Sequence, residues 1–137
     1  MRSLLFELLI AVCLTVAVSA QTLEDRNRST IGYISSSGTV EDGSRRTLGY
    51  INSNGTIEDS SRRTLGYLSS SGTVEDASRR TVGYISSSGT VENANRSTLG
   101  YLNSNGTVEN SSRSTIGYAH DVPAEHAALF FFFFFRK

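Results

Sequence analysis

Apolar and polar residues alternate in a pattern that repeats every 17 residues along most of the chain. Around the copy at 47–63, TLGYINSNGTIEDSSRR, a segment of six residues (46–51, which begins at the last residue of the preceding copy) and one of three (56–58) are separated by short polar runs. Thr, Ile, Val and Tyr favour extended structure, and neither segment is long enough to hold a helix. The pattern therefore predicts a continuous antiparallel meander of short strands.

Each copy carries two turn signals. The first, Asn52-Ser53-Asn54-Gly55 in this copy, suits a type I turn followed by a left-handed glycine. The second, Asp59-Ser60-Ser61-Arg62, has the same form but places Arg where glycine would be easiest. A two-residue loop at the first turn would pair Asn52 with Ile57, whereas a three-residue loop pairs Ile51 with Ile57. We expect the three-residue loop, because apolar residues then meet on one face.

The ends of the array are incomplete and complementary. Five full copies occupy 30–46, 47–63, 64–80, 81–97 and 98–114, the half-unit 22–29 matches the second half of a copy, and the half-unit 115–118 matches the first half. A ring can use such halves to pair its first strand with its last and so remove its exposed edges. Terminal caps of a linear solenoid are the alternative. We predict an all-β domain over 21–118, a closed ring of short antiparallel hairpins, followed by a short C-terminal helix.

Two further regularities predict contacts between the strands. A glycine interrupts the longer strand of every unit, at Gly32, Gly49, Gly66, Gly83, Gly100 and Gly117. Because glycine weakens a strand, its recurrence predicts close approach by a neighbouring Tyr ring or by backbone. In three copies Asp42, Asp59 and Asp76 precede an Arg by four residues, and in the last two copies Asn and Ser replace both members. This joint change predicts exposed Asp–Arg pairs across the second turn.

The first 20 residues have the features of a secretory signal. Arg2 precedes the apolar stretch 4–18, which Glu7 interrupts, and Val18-Ser19-Ala20 fits a small-residue cleavage site. An uncleaved anchor helix and a lipoprotein modified at Cys13 are the alternatives. Because Cys13 is the only cysteine, cleavage after Ala20 would leave a chain that is stabilised by packing and backbone pairing without disulfides. We expect the protein to be secreted, periplasmic or at the cell surface.

Residues 119–137 form an apolar tail that departs from the repeat. Asp121-Val122-Pro123 can start a helix, and every residue from 127 to 135 is apolar. The run ends in six phenylalanines, Phe130, Phe131, Phe132, Phe133, Phe134 and Phe135. As a helix the nine apolar residues would span about 14 Å, well short of a bilayer. Two interpretations remain open, a terminal cap or plug of the ring and a peripheral contact with a membrane or a partner protein.

The composition offers little material for catalysis. Thirteen basic and 13 acidic residues give a formal net charge of zero, which disfavours nucleic-acid binding. The serines recur in every turn and His120 and His126 are the only imidazoles, so we predict no enzyme, no catalytic residue and no cofactor. The histidines with Asp121 and Glu125 could hold a metal, and the repeated Glu-Asp pairs could hold calcium. Solvated cap residues and Arg-paired acids are the simpler interpretations, and no metal site is predicted.

The repeats favour a non-enzymatic role with two alternatives. The tyrosines recur at one strand position and could form stacking platforms for a sugar, at Tyr33, Tyr50, Tyr67, Tyr84, Tyr101 and Tyr118. We predict an exported structural or adhesive protein of the cell envelope. A multivalent carbohydrate- or protein-binding module, with a glycan or an envelope protein as partner, is the first alternative. A precursor cut into peptides at dibasic pairs such as Arg45-Arg46 is the second.

The repeat unit T-[ILV]-G-Y-[IL]-x-S-x-G-T-[VI]-E-[DN]-x-[SN]-R, the exported leader and the Phe-rich end resemble the five-fold β-flower proteins of Bacteroidota. The resemblance covers residues 22–118 and extends to the tail. It implies short hairpins arranged like petals around an axis, and it carries no established activity or catalytic residue. Two features depart from the family pattern, since Arg replaces the usual glycine of the second turn and the units number six rather than five.

Overall fold

The computed structural model describes residues 21–136, so the predicted leader at 1–20 lies outside the described residues. Within that range the chain forms twelve strands and one short helical segment. The strands are β1 (Thr22–Asp25), β2 (Thr30–Ile34), β3 (Thr39–Asp42), β4 (Thr47–Ile51), β5 (Thr56–Asp59), β6 (Thr64–Leu68), β7 (Thr73–Asp76), β8 (Thr81–Ile85), β9 (Thr90–Asn93), β10 (Thr98–Leu102), β11 (Thr107–Asn110) and β12 (Thr115–His120). Helix α1 (Ala124–Ala128) follows and runs directly into a π-helical turn, Leu129–Phe133.

The strands form a closed antiparallel barrel in which every strand pairs with its sequence neighbours and β1 pairs with β12. The β12–β1 register, Tyr118 opposite Glu24 and Ala119 opposite Leu23, is the register of Tyr50 opposite Glu58 in β4–β5. The two half-units therefore join to make a sixth hairpin like the other five. The predicted all-β ring of hairpins is confirmed and the linear solenoid is excluded. Strand β12 continues to His120, two residues beyond the predicted half-unit.

Both turns have the backbone conformation that their residues predicted. In the first turn Asn52 N donates to Thr56 O and Gly55 N donates to Asn52 O, both at 2.9 Å, and Gly55 has φ 92°. Ile51 consequently faces Ile57, as the three-residue loop predicted. In the second turn Arg62 N donates to Asp59 O at 3.0 Å, and Arg62 takes the left-handed conformation with φ 69°.

A register shift separates each hairpin from the next. Between β5 and β6, Ile57 faces Gly66 and Glu58 faces Thr64, so Leu65 is an extra residue on the longer strand. Such a bulge bends the strand and increases its twist, which helps a sheet curve into a barrel. The same shift occurs at all six junctions, which distributes the curvature evenly around the ring.

The core combines strand residues with the tail. The apolar pair of each hairpin lies on the inner face; Ile34 and Val40 are fully buried, and only Leu68 and Ala119 among the twelve are partly buried. Ala127, Ala128, Leu129, Phe130 and Phe131 complete the same cluster, and Phe132 to Phe135 pack against it. Because short hairpins cannot bury their own inner faces, the tail supplies the apolar volume that the barrel lacks.

Candidate functional site

The six phenylalanines of the tail, hereafter the Phe plug (130–135), lie inside the barrel against the six strand glycines. An ideal Cβ built on Gly83 would lie 2.5 Å from Cε1 of Phe133, and one built on Gly117 would lie 2.7 Å from Cε1 of Phe131. Every glycine meets a different ring: Gly32 with Phe130, Gly117 with Phe131, Gly100 with Phe132, Gly83 with Phe133, Gly66 with Phe134 and Gly49 with Phe135. The rings therefore occupy the space that side chains at these positions would fill.

The order of these contacts follows the barrel. Each step along the plug moves the contact by one hairpin, from β2 through β12, β10, β8 and β6 to β4. In a regular α-helix of 3.6 residues per turn, successive side chains would diverge by more than one sixth of a circle. The turn here is wider, since Phe134 N donates to Leu129 O at 2.9 Å across five residues. Widening the turn reduces the angle per residue and brings consecutive rings closer to the spacing of the hairpins.

The sequence predicted that a Tyr ring or backbone lies close to each strand glycine, and the packing confirms one part of that prediction and corrects the other. Close approach is confirmed, and backbone is one cause, because the carbonyl oxygen of Glu92 also lies within contact of a Cβ on Gly83. The predicted Tyr ring is wrong, since a tail Phe ring lies over each glycine. The tyrosines stand on the opposite face of the strands, because side chains alternate along a strand.

A repeated cluster of Tyr, Arg and Glu covers the outer face of the barrel. In the second hairpin Tyr50 faces Glu58, the guanidinium of Arg62 lies 3.6 Å from the centre of the Tyr50 ring, and Arg62 Nη1 lies 3.0 Å from Glu58 Oε1. All six hairpins contain this Tyr–Arg–Glu cluster, with Arg–ring distances of 3.5–3.6 Å and Arg–Glu distances of 3.0–3.4 Å. The left-handed Arg of the second turn is thereby placed over the strand, and the sequence alone did not indicate this stacking.

The predicted Asp–Arg pairs are present across the second turn. Arg46 Nε lies 3.2 Å from Asp42 Oδ2, and equivalent contacts join Arg63 to Asp59 and Arg80 to Asp76. The backbone N–H of Arg46, together with other hydrogen bonds, holds the pKa of Asp42 below its usual value. Where Asn93 replaces the acid, its Oδ1 still accepts from Ser97 N at 3.0 Å. The backbone cap is therefore common to all copies, and the ion pair is an addition to it.

The two histidines lie at the end of the barrel that carries the first turns. His120 Nε2 is 2.9 Å from Glu24 Oε1, a contact across the β12–β1 seam that holds the pKa of Glu24 below its usual value. His126 lies on α1, and burial lowers its pKa. Its Nδ1 is buried without a hydrogen-bond partner among the described residues. Within residues 21–136 the structure brings no three His, Cys, Asp or Glu side chains together as a ligand group.

Grooves separate α1 from the ring of first turns. One groove, of about 470 Å³, lies beside the seam and is lined by 102–106, 119–122, Ala124 and Ala127. A second, of about 280 Å³, lies between the turns of β4–β5 and β6–β7 and the helix residues Glu125 and His126. The predicted helix start is one residue out of place, since Pro123 is the N-cap and α1 begins at Ala124.

The structure thus separates the two sets of predicted site residues. The six tyrosines form an outer belt, half-buried, with one ring face covered by Arg. The six phenylalanines lie inside, in the arrangement expected of a plug. In the part of the chain that the structure describes, no helix has the length and apolar character needed to span a membrane.

Comparison with known proteins gives one match. A family described as 5-fold beta-flower protein matches residues 20–135, which is most of the chain and includes the Phe plug. No curated protein and no solved structure matches it.

Proposed function

The chain belongs to the 5-fold beta-flower family, and from that premise we propose that it is an exported, non-enzymatic protein with a structural or adhesive role at the cell envelope. The beta-flower repeat fold itself follows from the family match. Export, the envelope location and the adhesive role are the proposed part. The leader-like residues 1–20 motivate export.

One observation carries the non-enzymatic role: the repeated polar side chains are engaged with each other in the same way in every hairpin. Glu58 pairs with Arg62, which in turn stacks on Tyr50, and this cluster recurs six times. A catalytic site needs a particular nucleophile and base placed beside a substrate cavity. Residues that are repeated and mutually satisfied instead stabilise the barrel wall, as expected of a scaffold.

Export is tested by expressing the full chain in a bacterial host and fractionating the cells. We expect the protein outside the cytoplasm, with a mass that corresponds to a new N-terminus at Gln21. A matched chain that lacks residues 2–20 serves as the control and should stay in the cytoplasm. Recovery of the full-length chain from the cytoplasm would refute export and with it the envelope role.

Adhesion is tested separately, on beads coated with the purified chain. We expect such beads to retain envelope fragments of the host in which the chain is exported. Beads that carry the same mass of a chain lacking 127–137, and therefore lacking the plug, should retain fewer, because the barrel wall depends on the plug for its core. Equal retention on both beads would contradict an adhesive role of the folded barrel.

A multivalent binding module is the second candidate, and the outer belt of tyrosines favours it. The Arg guanidinium occupies one face of each ring, so a sugar would have to use the other face or the ring edge. A screen of immobilised glycans against the wild type and a Tyr50→Ala/Tyr84→Ala double variant tests this. Binding that the double variant weakens would support the module, and no binding by the wild type at high micromolar concentration would reject it.

The dibasic pairs of the precursor hypothesis lie in the second turns. Arg45 N donates to Asp42 O and Asp42 N donates to Arg46 O, so both residues are held in a tight turn. The precursor hypothesis requires a disordered mature chain that is recovered as fragments cut near these pairs. A folded chain, intact after export, would reject it.

A further inference from the structure

The seam is the place where the backbone of the described ring departs from its six-fold pattern. At the other hairpins the longer strand is followed by a Ser- or Asn-rich turn that returns to the next strand. After β12 the chain leaves the ring through Asp121 and Val122 and enters α1. The turn 103–106 consequently faces this departing segment instead of another turn, and the 470 Å³ groove opens between them. We call it the seam groove, lined by 102–106, 119–122, Ala124 and Ala127.

The lining of the seam groove combines polar groups with an apolar wall. Asn105 Oδ1 accepts from Thr107 N at 3.0 Å, which leaves the amide N–H groups of Asn105 as donors. His120 uses Nε2 in the contact with Glu24, which leaves Nδ1. The carboxylate of Asp121 and the hydroxyl of Ser104 also line the groove, and both residues are exposed. Ala119, Val122 and Ala124 supply partly exposed apolar surface, whereas Leu102 and Ala127 are buried.

We propose that the seam groove binds one neutral sugar through a pair of adjacent hydroxyl groups. A carboxylate can accept hydrogen bonds from two neighbouring hydroxyls, and an amide and a hydroxyl can donate to the ring and glycosidic oxygens. The C–H face of a sugar ring packs against apolar side chains, which the groove provides. Its volume lies within the range of about 300–1,000 Å³ that small-molecule sites occupy.

Charge restricts the ligand class. Asp121 is the one carboxylate that lines the seam groove and is in no ion pair among the described residues, and no Lys or Arg lines the groove. An anionic sugar such as a uronate would meet an uncompensated negative charge, whereas a neutral sugar would not. The site goes beyond the proposed envelope role, because it holds whether or not the chain is exported, and it differs from the tyrosine belt in both position and number.

Binding is measured by titrating the full chain with neutral mono- and disaccharides, followed by nuclear magnetic resonance or calorimetry. We expect one site per chain, a dissociation constant at or below about 1 mM for at least one neutral sugar, and weaker binding of the matching uronate. Asp121→Asn should weaken binding at least about tenfold, because it replaces the acceptor carboxylate with an amide. Asn tolerates the left-handed conformation of Asp121, which has φ 57°, so the fold is preserved.

The repeat offers a matched control for the turn residue. Asn105→Ala and Asn54→Ala remove the same cap, since Asn54 Oδ1 accepts from Thr56 N at 3.0 Å just as Asn105 Oδ1 accepts from Thr107 N. Both variants should lose the same stability, but only Asn105→Ala should weaken sugar binding. Equal weakening by both, more than one bound sugar per chain, preference for the uronate, or no binding of any neutral sugar at about 10 mM would each overturn the proposal.

Discussion

Replacing Gly83 by alanine tests whether the Phe plug dictates glycine on the inner face of the barrel. The new Cβ would lie 2.5 Å from Cε1 and 2.6 Å from Cζ of Phe133, and also against the carbonyl oxygen of Glu92. Favourable contacts between carbon atoms lie at about 3.5–4.0 Å. Overpacking of a well-packed core costs about 1–3 kcal/mol, whereas alanine in a strand is favoured over glycine by about 0.5–1 kcal/mol.

The clash therefore outweighs the propensity, and Gly83→Ala should reduce the free energy of unfolding by about 1–2 kcal/mol. Urea denaturation followed by circular dichroism measures the change. With a slope of about 2 kcal/mol per molar urea, in the middle of the range for small proteins, the midpoint should fall by roughly 0.5–1 M. A variant as stable as the wild type, or more stable, would refute the idea that the plug sets the residue at this position.

Two further variants separate the causes. Gly43→Ala is the matched control. Its new Cβ would lie 2.7 Å from the carbonyl oxygen of Thr30, and its three nearest atoms are all backbone atoms. Because Ala77 and Ala94 occupy the equivalent turn position in other copies, the turn accommodates alanine, and the variant should change stability by less than about 0.5 kcal/mol. Phe133→Leu removes the ring atoms that the new Cβ would meet. Combined with Gly83→Ala, it should restore part of the loss, with a coupling of at least about 0.5 kcal/mol. Strictly additive effects would assign the clash to the backbone carbonyl alone.

Three other predictions address the turns, the tail and the repeat number. Arg62→Ala should be less stable than Arg62→Gly by about 1–2 kcal/mol in urea denaturation, because both lose the contact with Tyr50 but only alanine retains the strain of a positive φ; equal stability would contradict a strained turn. Burial lowers the pKa of His126, so the unfolded chain binds more protons as the pH falls below about 6.5. When the pH is lowered from 7.5 to about 5.5, the thermal midpoint of the wild type should therefore decrease, and that of His126→Gln should decrease less. Equal decreases in the two proteins would contradict burial of His126 as the cause. A chain that lacks residues 64–80 should be more stable when Phe134 is deleted too, since the five remaining hairpins then meet five rings. Equal thermal midpoints of the single and the double deletion would contradict the pairing of one ring with each hairpin.

The fold could be predicted from sequence because its determinants are local and repeated. Gly55 and the Asn residues around it favour one turn type, and that turn sets Ile51 opposite Ile57. The half-units at 22–29 and 115–118 carry the two strands of one hairpin, so the repeat pattern favoured their union across the seam over the terminal caps of a linear solenoid. The joint loss of Asp and Arg in the last copies likewise indicated a pair only four residues apart.

The side-chain contacts of the plug, the outer face and the seam groove could not be predicted, because they depend on the folded positions of residues that do not indicate each other in the sequence. Gly83 and Phe133 are separated by fifty positions, and nothing near either residue indicates the other. The stacking of Arg62 on Tyr50 arises only after the turn and the strand pairing have placed both on the outer face. The seam groove exists because the chain leaves the ring at Asp121, which a repeat pattern does not describe.

The chain's own pattern thus determined the repeat, the turns and the strand register within each hairpin, since each follows from backbone preferences and apolar alternation over a few residues, and its half-units favoured ring closure. Only the tertiary structure decided that the Phe plug fills the barrel with one ring for each glycine, and which polar groups line the seam groove. The reason is physical: side-chain packing depends on distances between elements, and those distances exist only once the barrel has closed around its tail.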